Sequence, residues 1–219
     1  MSNENDRDNL FVGIINLDHR DDRRKDSMNE LLESSIMLDD DVFFSATYME
    51  DFGALGASIS HASILVKYLS TTSLPFALIL EDDFEILDKN NFLSNVNAIL
   101  GKSDLWDVFL LSHNMAMPIE NIPMSDCYRV VNSQTASGYI VKREFAPFLI
   151  KVFFESVVNL EKFSNYEIET RRQLSHFYCL DILWKKLQTE HKFLARIPAL
   201  VKQRESFSDI EKVVVDYGV

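Results

Sequence analysis

The chain runs to 219 residues, with 34 acidic side chains against 22 basic ones and a formal net charge of −12. That balance excludes a protein that works mainly by gripping a phosphate backbone, since such binding leans on a basic surface; no nucleic-acid partner is expected. At 47% hydrophobic and 26% charged, the composition is that of a soluble globular protein, long enough to bury a core as one domain over 1–219.

The amino-terminal MSNENDRDN is polar, lacks an apolar h-region and predicts disorder over 1–9 rather than a secretory signal. Leu10 to Leu17 is an apolar run rich in β-branched residues and predicts the first strand. A helix is expected from Arg23 to Ser35 on the apolar stripe Met28, Leu31, Leu32, then a short strand from Val42 to Ala46. Ile59, Ala62, Val66 and Leu69 recur at helical spacing and predict a helix over Gly56 to Ser70. Phe76 to Leu80 is a buried strand, Phe92 to Leu100 a helix and Trp106 to Leu111 another buried strand. An irregular loop passes Pro118 and Pro123. Strands follow at Cys127 to Val131 and Gly138 to Val141, and a helix begins near Glu144. The last elements are a helix over Phe177 to Leu187 and a strand over Phe193 to Val201. No element is assigned to the acidic tail, 203–219. Strands alternating with helices predict a three-layer α/β/α sandwich with a mostly parallel central sheet. No apolar run approaches the ~20 residues that span a bilayer. Cys127 and Cys179 lack a CxxC partner and read as reduced thiols of a cytoplasmic-type compartment, not as a zinc site.

The strand at 76–80 ends in three carboxylates, Glu81, Asp82 and Asp83. Ligands of open α/β sheets gather at the carboxyl ends of the strands, and two acidic oxygens there can hold a hard cation that keeps sites for phosphate. In extended geometry Glu81 and Asp83 share a face. The alternative is a solvated turn. A second triplet, Asp39 to Asp41, reads as a loop. At the first strand-to-helix turn, Asn16 leads to Arg20 and Arg23, whose forked donors suit a diphosphate. They serve equally as a charged helix start, where Asp21 and Asp22 complement the macrodipole. Gly53 and Gly56 allow close backbone approach. Ser60 and His61, a turn later, either face a ligand or serve the core.

Seven segments stand in order: INLDHRDDR (15–23), GALGASISH (53–61), LILEDD (78–83), WDVFLLS (106–112), TASGYIVKR (135–143), LDILW (180–184) and SDIE (208–211). Their order resembles glycosyltransferase family 25, the lipooligosaccharide β-galactosyltransferases and collagen-hydroxylysine galactosyltransferases. The family commonly has Cys where Ala57 stands. The resemblance implies a GT-A-like fold, a UDP-hexose donor (galactose, or else glucose), Mn²⁺ or Mg²⁺, and transfer with inversion to a glycan or glycolipid hydroxyl. A lipopolysaccharide-type acceptor at the inner face of a membrane, with peripheral contact there, fits a donor made in the cytosol. Under that resemblance Asp83 and Glu81 are the metal ligands. Asn16, Arg20, Arg23, Gly56, Ser60, His61, Glu81, Asp82, Thr135 and Gly138 contact the UDP-sugar, Glu81 as second ligand or ribose contact.

The resemblance also implies Asp181 as the catalytic base, its alternative an N-cap. Trp184 either stacks on a sugar or packs in the core, and Ser208 and Asp209 either line the site or cap a helix. Two rivals remain: a silent glycan- or nucleotide-binding module of the same fold, and a metal-dependent hydrolase on the same carboxylates. Protein (hydroxylysine) glycosylation is an alternative acceptor class. The sequence carries no signal for oligomeric state.

Overall fold

Apolar runs separated by amphipathic helices fold into one eight-stranded sheet covered on both faces in the computed structural model, which describes residues 9–36, 40–114, 120–207 and 214–215. The order begins β1 (Leu10–Asn16), α1 (Asp21–Glu33), β2 (Phe43–Ser45), α2 (Gly53–Thr71), β3 (Phe76–Glu81), β4 (Phe84–Ile86) and α3 (Phe92–Leu100). It continues through β5 (Val108–Leu110), β6 (Glu120–Asn121), β7 (Cys127–Arg129), β8 (Gly138–Lys142) and α4 (Ala146–Glu161). It closes with α5 (Ile168–Tyr178), α6 (Leu180–Leu183), α7 (Lys185–Glu190), β9 (Phe193–Arg196), β10 (Val201–Gln203), β11 (Ser206–Phe207) and β12 (Val214–Val215).

The main sheet has the order β2-β1-β3-β8-β5-β9-β7-β6. β2, β1, β3, β5, β9 and β6 run one way; β8 and β7 are inserted against them. β3 shows why the strand reads as a continuous apolar run. Ala77 and Ile79 pack under α2 and α4, and Leu78 and Leu80 pack under α1 and α3, all fully buried. A strand covered on both faces has no polar alternation, and each such Leu or Ile adds roughly 1.5–3 kcal/mol by burial. Among the described residues no helix is long and apolar enough to cross a membrane.

Because β1, β2, β3 and β5 point the same way, their carboxyl ends open on one rim. β8 runs against β3 and brings its amino-terminal approach, residues 135–137, to that rim. β10 pairs antiparallel with β4, Gln203 opposite Phe84, and so returns the chain to the turn at 82–83. The amino end of α2 presses against the segment after β2, where a Cβ on Gly56 would stand 2.5 Å from the Thr47 carbonyl oxygen. Backbone cannot step aside cheaply. Gly56→Ala is expected to cost about 1–3 kcal/mol, measured as a lower Tm; wild-type stability would contradict this close approach.

Three expectations are corrected. The helix over Phe177 to Leu187 is broken: α5 ends at Tyr178, Cys179 is extended at φ −64°, ψ 156°, and α6 and α7 follow. The apolar run through this break holds no Gly or Pro to mark it. The strand from Phe193 to Val201 divides into β9 and β10 around Pro198, which has no N–H for a ladder. Asp82 and Asp83 form a turn between β3 and β4, so Glu81 and Asp83 do not share the face of one strand. The remaining boundaries agree within a few residues, while Ser208, Asp209, Asp39, Pro118 and residues 1–8 lie outside the described residues.

Candidate active site

The rim opens into a cleft of two lobes that share Gly53, Ala57, Glu81 and Gln203. The first lobe, about 730 Å³, is walled by Leu17, Thr47, Tyr48, Met49 and Ser60, with Arg23, Asp82 and Asp83 at its base. The second, about 1370 Å³, extends past Asn114, Gln134, Thr135 and Ser137 to Asp181 and the inner side of α5. Glu81 stands where they meet. The amino end of α2 faces this junction without a side-chain cap, so its first N–H groups add positive potential there.

Asp82 is tied inward. Its Oδ2 accepts from Asn16 Nδ2 at 2.7 Å, its Oδ1 from an Arg23 guanidinium nitrogen at 2.8 Å, and its carbonyl from Ser27 Oγ at 2.9 Å. Asp83 is held less completely. Its Oδ2 lies 3.2 Å from Arg23 and 3.2 Å from Gln203 Nε2, and Arg204 N–H donates to its carbonyl at 2.7 Å. Its Oδ1 is buried with no hydrogen-bond partner among the described residues. Burial, reinforced by the Glu81 and Asp82 charges and opposed by Arg23 and Gln203, pushes the Asp83 carboxyl up to about 7. Burial likewise raises Asp82, against Arg23 and Asn16.

Glu81, more open to solvent, receives His61 Nε2 at 3.1 Å, and His61 Nδ1 meets the Tyr139 hydroxyl at 3.3 Å. Burial, with Glu81 nearby, holds the Tyr139 phenol well above its ordinary range, so it keeps its proton. Tyr139 O–H then donates to Nδ1, which leaves Nε2–H to donate to Glu81. The fully buried His61 is a support that orients the carboxylate.

Glu81 and Asp83 both line the first lobe and are the residues that could hold a divalent cation. A buried carboxylate oxygen without a donor costs free energy that a cation offsets. Among the described residues no group of three or more His, Cys, Asp or Glu side chains is placed to hold a metal ion by itself.

In the second lobe, Thr135 N–H donates to Asp181 Oδ2 at 3.0 Å. Thr135 has φ 77°, a strained conformation for a β-branched residue, of the kind that clusters at functional sites. Burial, and the Asp181 charge after it, pushes the Cys179 thiol up, so it stays protonated beside Asp181. Asp181 is held by the Thr135 N–H. It lies in the first turn of α6 and does not cap it; the N-cap is Cys179.

The other sequence-derived residues divide plainly. Ser60 Oγ accepts from Thr47 N–H and donates to the Gly56 carbonyl, both at 2.8 Å, and so braces the wall of the first lobe. Asn16 tethers Asp82 from behind. Arg20 forks onto Asp22 at 2.9 Å, outside both lobes, and that bond pulls Asp22 down to about 2. Gly138 sits inside the sheet against Leu80 and Leu111. Trp184 is fully buried and donates to the Ser133 carbonyl at 3.0 Å, which rules out stacking on a sugar. Sequence reasoning missed Gln203, Asn114, Arg172 and His176. Only Gln203, in the QRESFSDIE segment, carried a signal.

No family model matches the sequence, and no curated protein matches it. Solved structures do match the fold. The A197 protein from STIV superposes with a TM-score of 0.51 at 11% identity, covering 94% of each chain. A glycosyltransferase involved in the glycosylation of the major capsid of PBCV-1 gives 0.52 at 9% identity, covering 93% of this chain and 96% of that one. The protein has the GT-A-like mixed α/β fold, most of its sheet running one way, with helices on both faces.

Proposed function

We propose that the protein is a metal-dependent, inverting glycosyltransferase that moves a hexose from a UDP-sugar to a hydroxyl of a glycan or glycolipid. The observation that carries this reading is the buried, donor-less Asp83 Oδ1 beside Glu81, at the mouth of a cleft whose far lobe presents an anchored carboxylate, Asp181. The first lobe offers Leu17, Met49 and Tyr48 as apolar walls for a nucleoside. The likeness to a PBCV-1 glycosyltransferase supports the class through its fold. The ordered motifs favour UDP-galactose or UDP-glucose and a surface-glycan acceptor of the lipooligosaccharide type.

Glu81 and Asp83 would hold Mn²⁺ or Mg²⁺, whose charge offsets the negative charge that grows on the departing diphosphate. Arg23, already against Asp82 and Asp83, fixes the turn that presents them. Asp181 takes the proton of the acceptor hydroxyl as that oxygen bonds to the anomeric carbon. The bond from that carbon to the diphosphate breaks on the opposite side, and its electron pair leaves with UDP. Thr135 N–H holds the Asp181 carboxylate in place through the step.

Incubation with a panel of UDP-sugars and Mn²⁺ tests this reading. Release of UDP with one of UDP-galactose or UDP-glucose preferred is expected. Neither binding nor UDP release with any member of the panel would overturn it.

A further inference from the structure

We propose that the lobe beside Asp181 takes an acceptor that carries a negative charge, a sugar carboxylate or phosphate, gripped by Arg172 and His176 of α5. The assignment rests on the transferase reading for the word acceptor; the anion site itself does not.

Arg172 and His176 are one helical turn apart and so share a face, and both line the lobe. Among the described residues neither side chain makes an ion pair or a hydrogen bond. Three other arginines of this acidic chain show the contrast. Arg23 is paired with Asp82 and Asp83, Arg204 with Asp26, and Arg143 donates to the Leu69 carbonyl. A net charge of −12 repels anions at long range; the exposed Arg172 side chain on the wall of the lobe, with no counter-ion among the described residues, is a local reversal of that field.

The helix that carries the pair is anchored at two points. Arg171 lies 5.4 Å over the ring of Phe52, which itself lines the lobe. Ser156 Oγ donates to the Tyr178 carbonyl at 2.6 Å. With both points fixed, α5 directs its next residue, Arg172, toward the lobe. The lobe's own acids, Asp51, Glu81 and Asp181, repel an anion, which places it on the α5 wall with the reacting hydroxyl toward Asp181. Asn114 and Gln134 supply neutral polar contacts. A planar guanidinium matches a carboxylate or a phosphate with two parallel hydrogen bonds, and the His176 ring adds a further N–H.

Ligand-observed NMR titration at low salt, with UDP and Mn²⁺ present, tests this with three probes: methyl glucoside, methyl glucuronide and glucose 6-phosphate. At least one anionic probe should bind about tenfold tighter than the neutral one, and whichever anion is preferred identifies the carboxylate or phosphate source. In R172Q, and to a lesser degree H176Q, the preference should shrink to about twofold, as expected when a charge-assisted pair is lost. Equal binding of all three probes, or a preference that survives in R172Q, overturns the proposal. The wild-type melting shift with UDP and Mn²⁺ reads the donor assignment separately. Its absence alongside an Arg172-dependent anion preference sinks the transferase reading and leaves the anion site standing.

Discussion

Asp83→Asn is expected to abolish transfer, with a loss on the order of 10³-fold or more, several kcal/mol of transition-state stabilisation. The same variant should melt higher than the wild type when no metal is present. Both follow from one fact, that a buried carboxylate oxygen has no donor. The Asp83 carboxyl is displaced from its ordinary 3.8 to about 7. At about 1.4 kcal/mol per pKa unit, that displacement amounts to roughly 4 kcal/mol. The sign follows from linkage. A raised native pKa favours the native state fully below the unfolded value near 4, and that contribution fades as pH rises through about 7. The metal-free protein is therefore penalised at pH 8 relative to pH 5 by this group. Asparagine removes the penalty because it carries no charge. Thermal melts at pH 8 check the pair of effects. The wild type should gain stability on adding Mn²⁺ and UDP, and Asp83→Asn should start higher and gain nothing. A variant that melts lower and still responds to Mn²⁺ would show that Asp83 serves the fold instead.

Asp181→Asn should lower turnover by about 10²–10⁴-fold, the usual worth of a positioned general base, with the KM for the donor little changed. The amide keeps the size of the carboxylate and its acceptor oxygen for Thr135 N–H, so the strained loop at 133–137 stays in place. That loop is held independently of Asp181. Gln188 accepts from Ser133 N–H and donates back to the Ser133 carbonyl, each at 2.8 Å, and Trp184 donates to the same carbonyl. Loss of donor binding together with turnover would assign Asp181 to ligand positioning. Unchanged turnover would remove it from the chemistry and favour a binding module of the same fold.

What the sequence revealed depended on range. β3 was legible because burial on both faces forces an unbroken apolar run; α2 was legible as a helix, but of the stripe Ile59, Ala62, Val66 and Leu69 only Ala62 is buried and Val66 is exposed, the buried face being Leu55, Ala62, Leu65 and Tyr68. The acidic turn was legible as three adjacent carboxylates. Their division of labour was not. Asp82 is consumed by Asn16 and Arg23, from 66 and 59 residues away, and Gln203 reaches Asp83 across 120. No periodicity records such pairings; they exist only once β1, β3 and β10 are laid beside one another. His61 could be placed on its helix, but its task, relaying a hydrogen bond from Tyr139 to Glu81, needed β8 lying against β3. α5 escaped notice because its sequence, IETRRQLSHFY, buries nothing completely and so lacks the apolar stripe that announces a helix.

The most direct test of the central claim is a crystal structure with UDP and Mn²⁺, read through the anomalous signal of manganese. A peak within bonding distance of Asp83 Oδ1, about 2.0–2.6 Å for oxygen ligands of hard cations, with Glu81 and the diphosphate completing its shell, is the predicted result. Manganese and diphosphate bound elsewhere, with the Asp83 oxygens coordinating no ion, would contradict it.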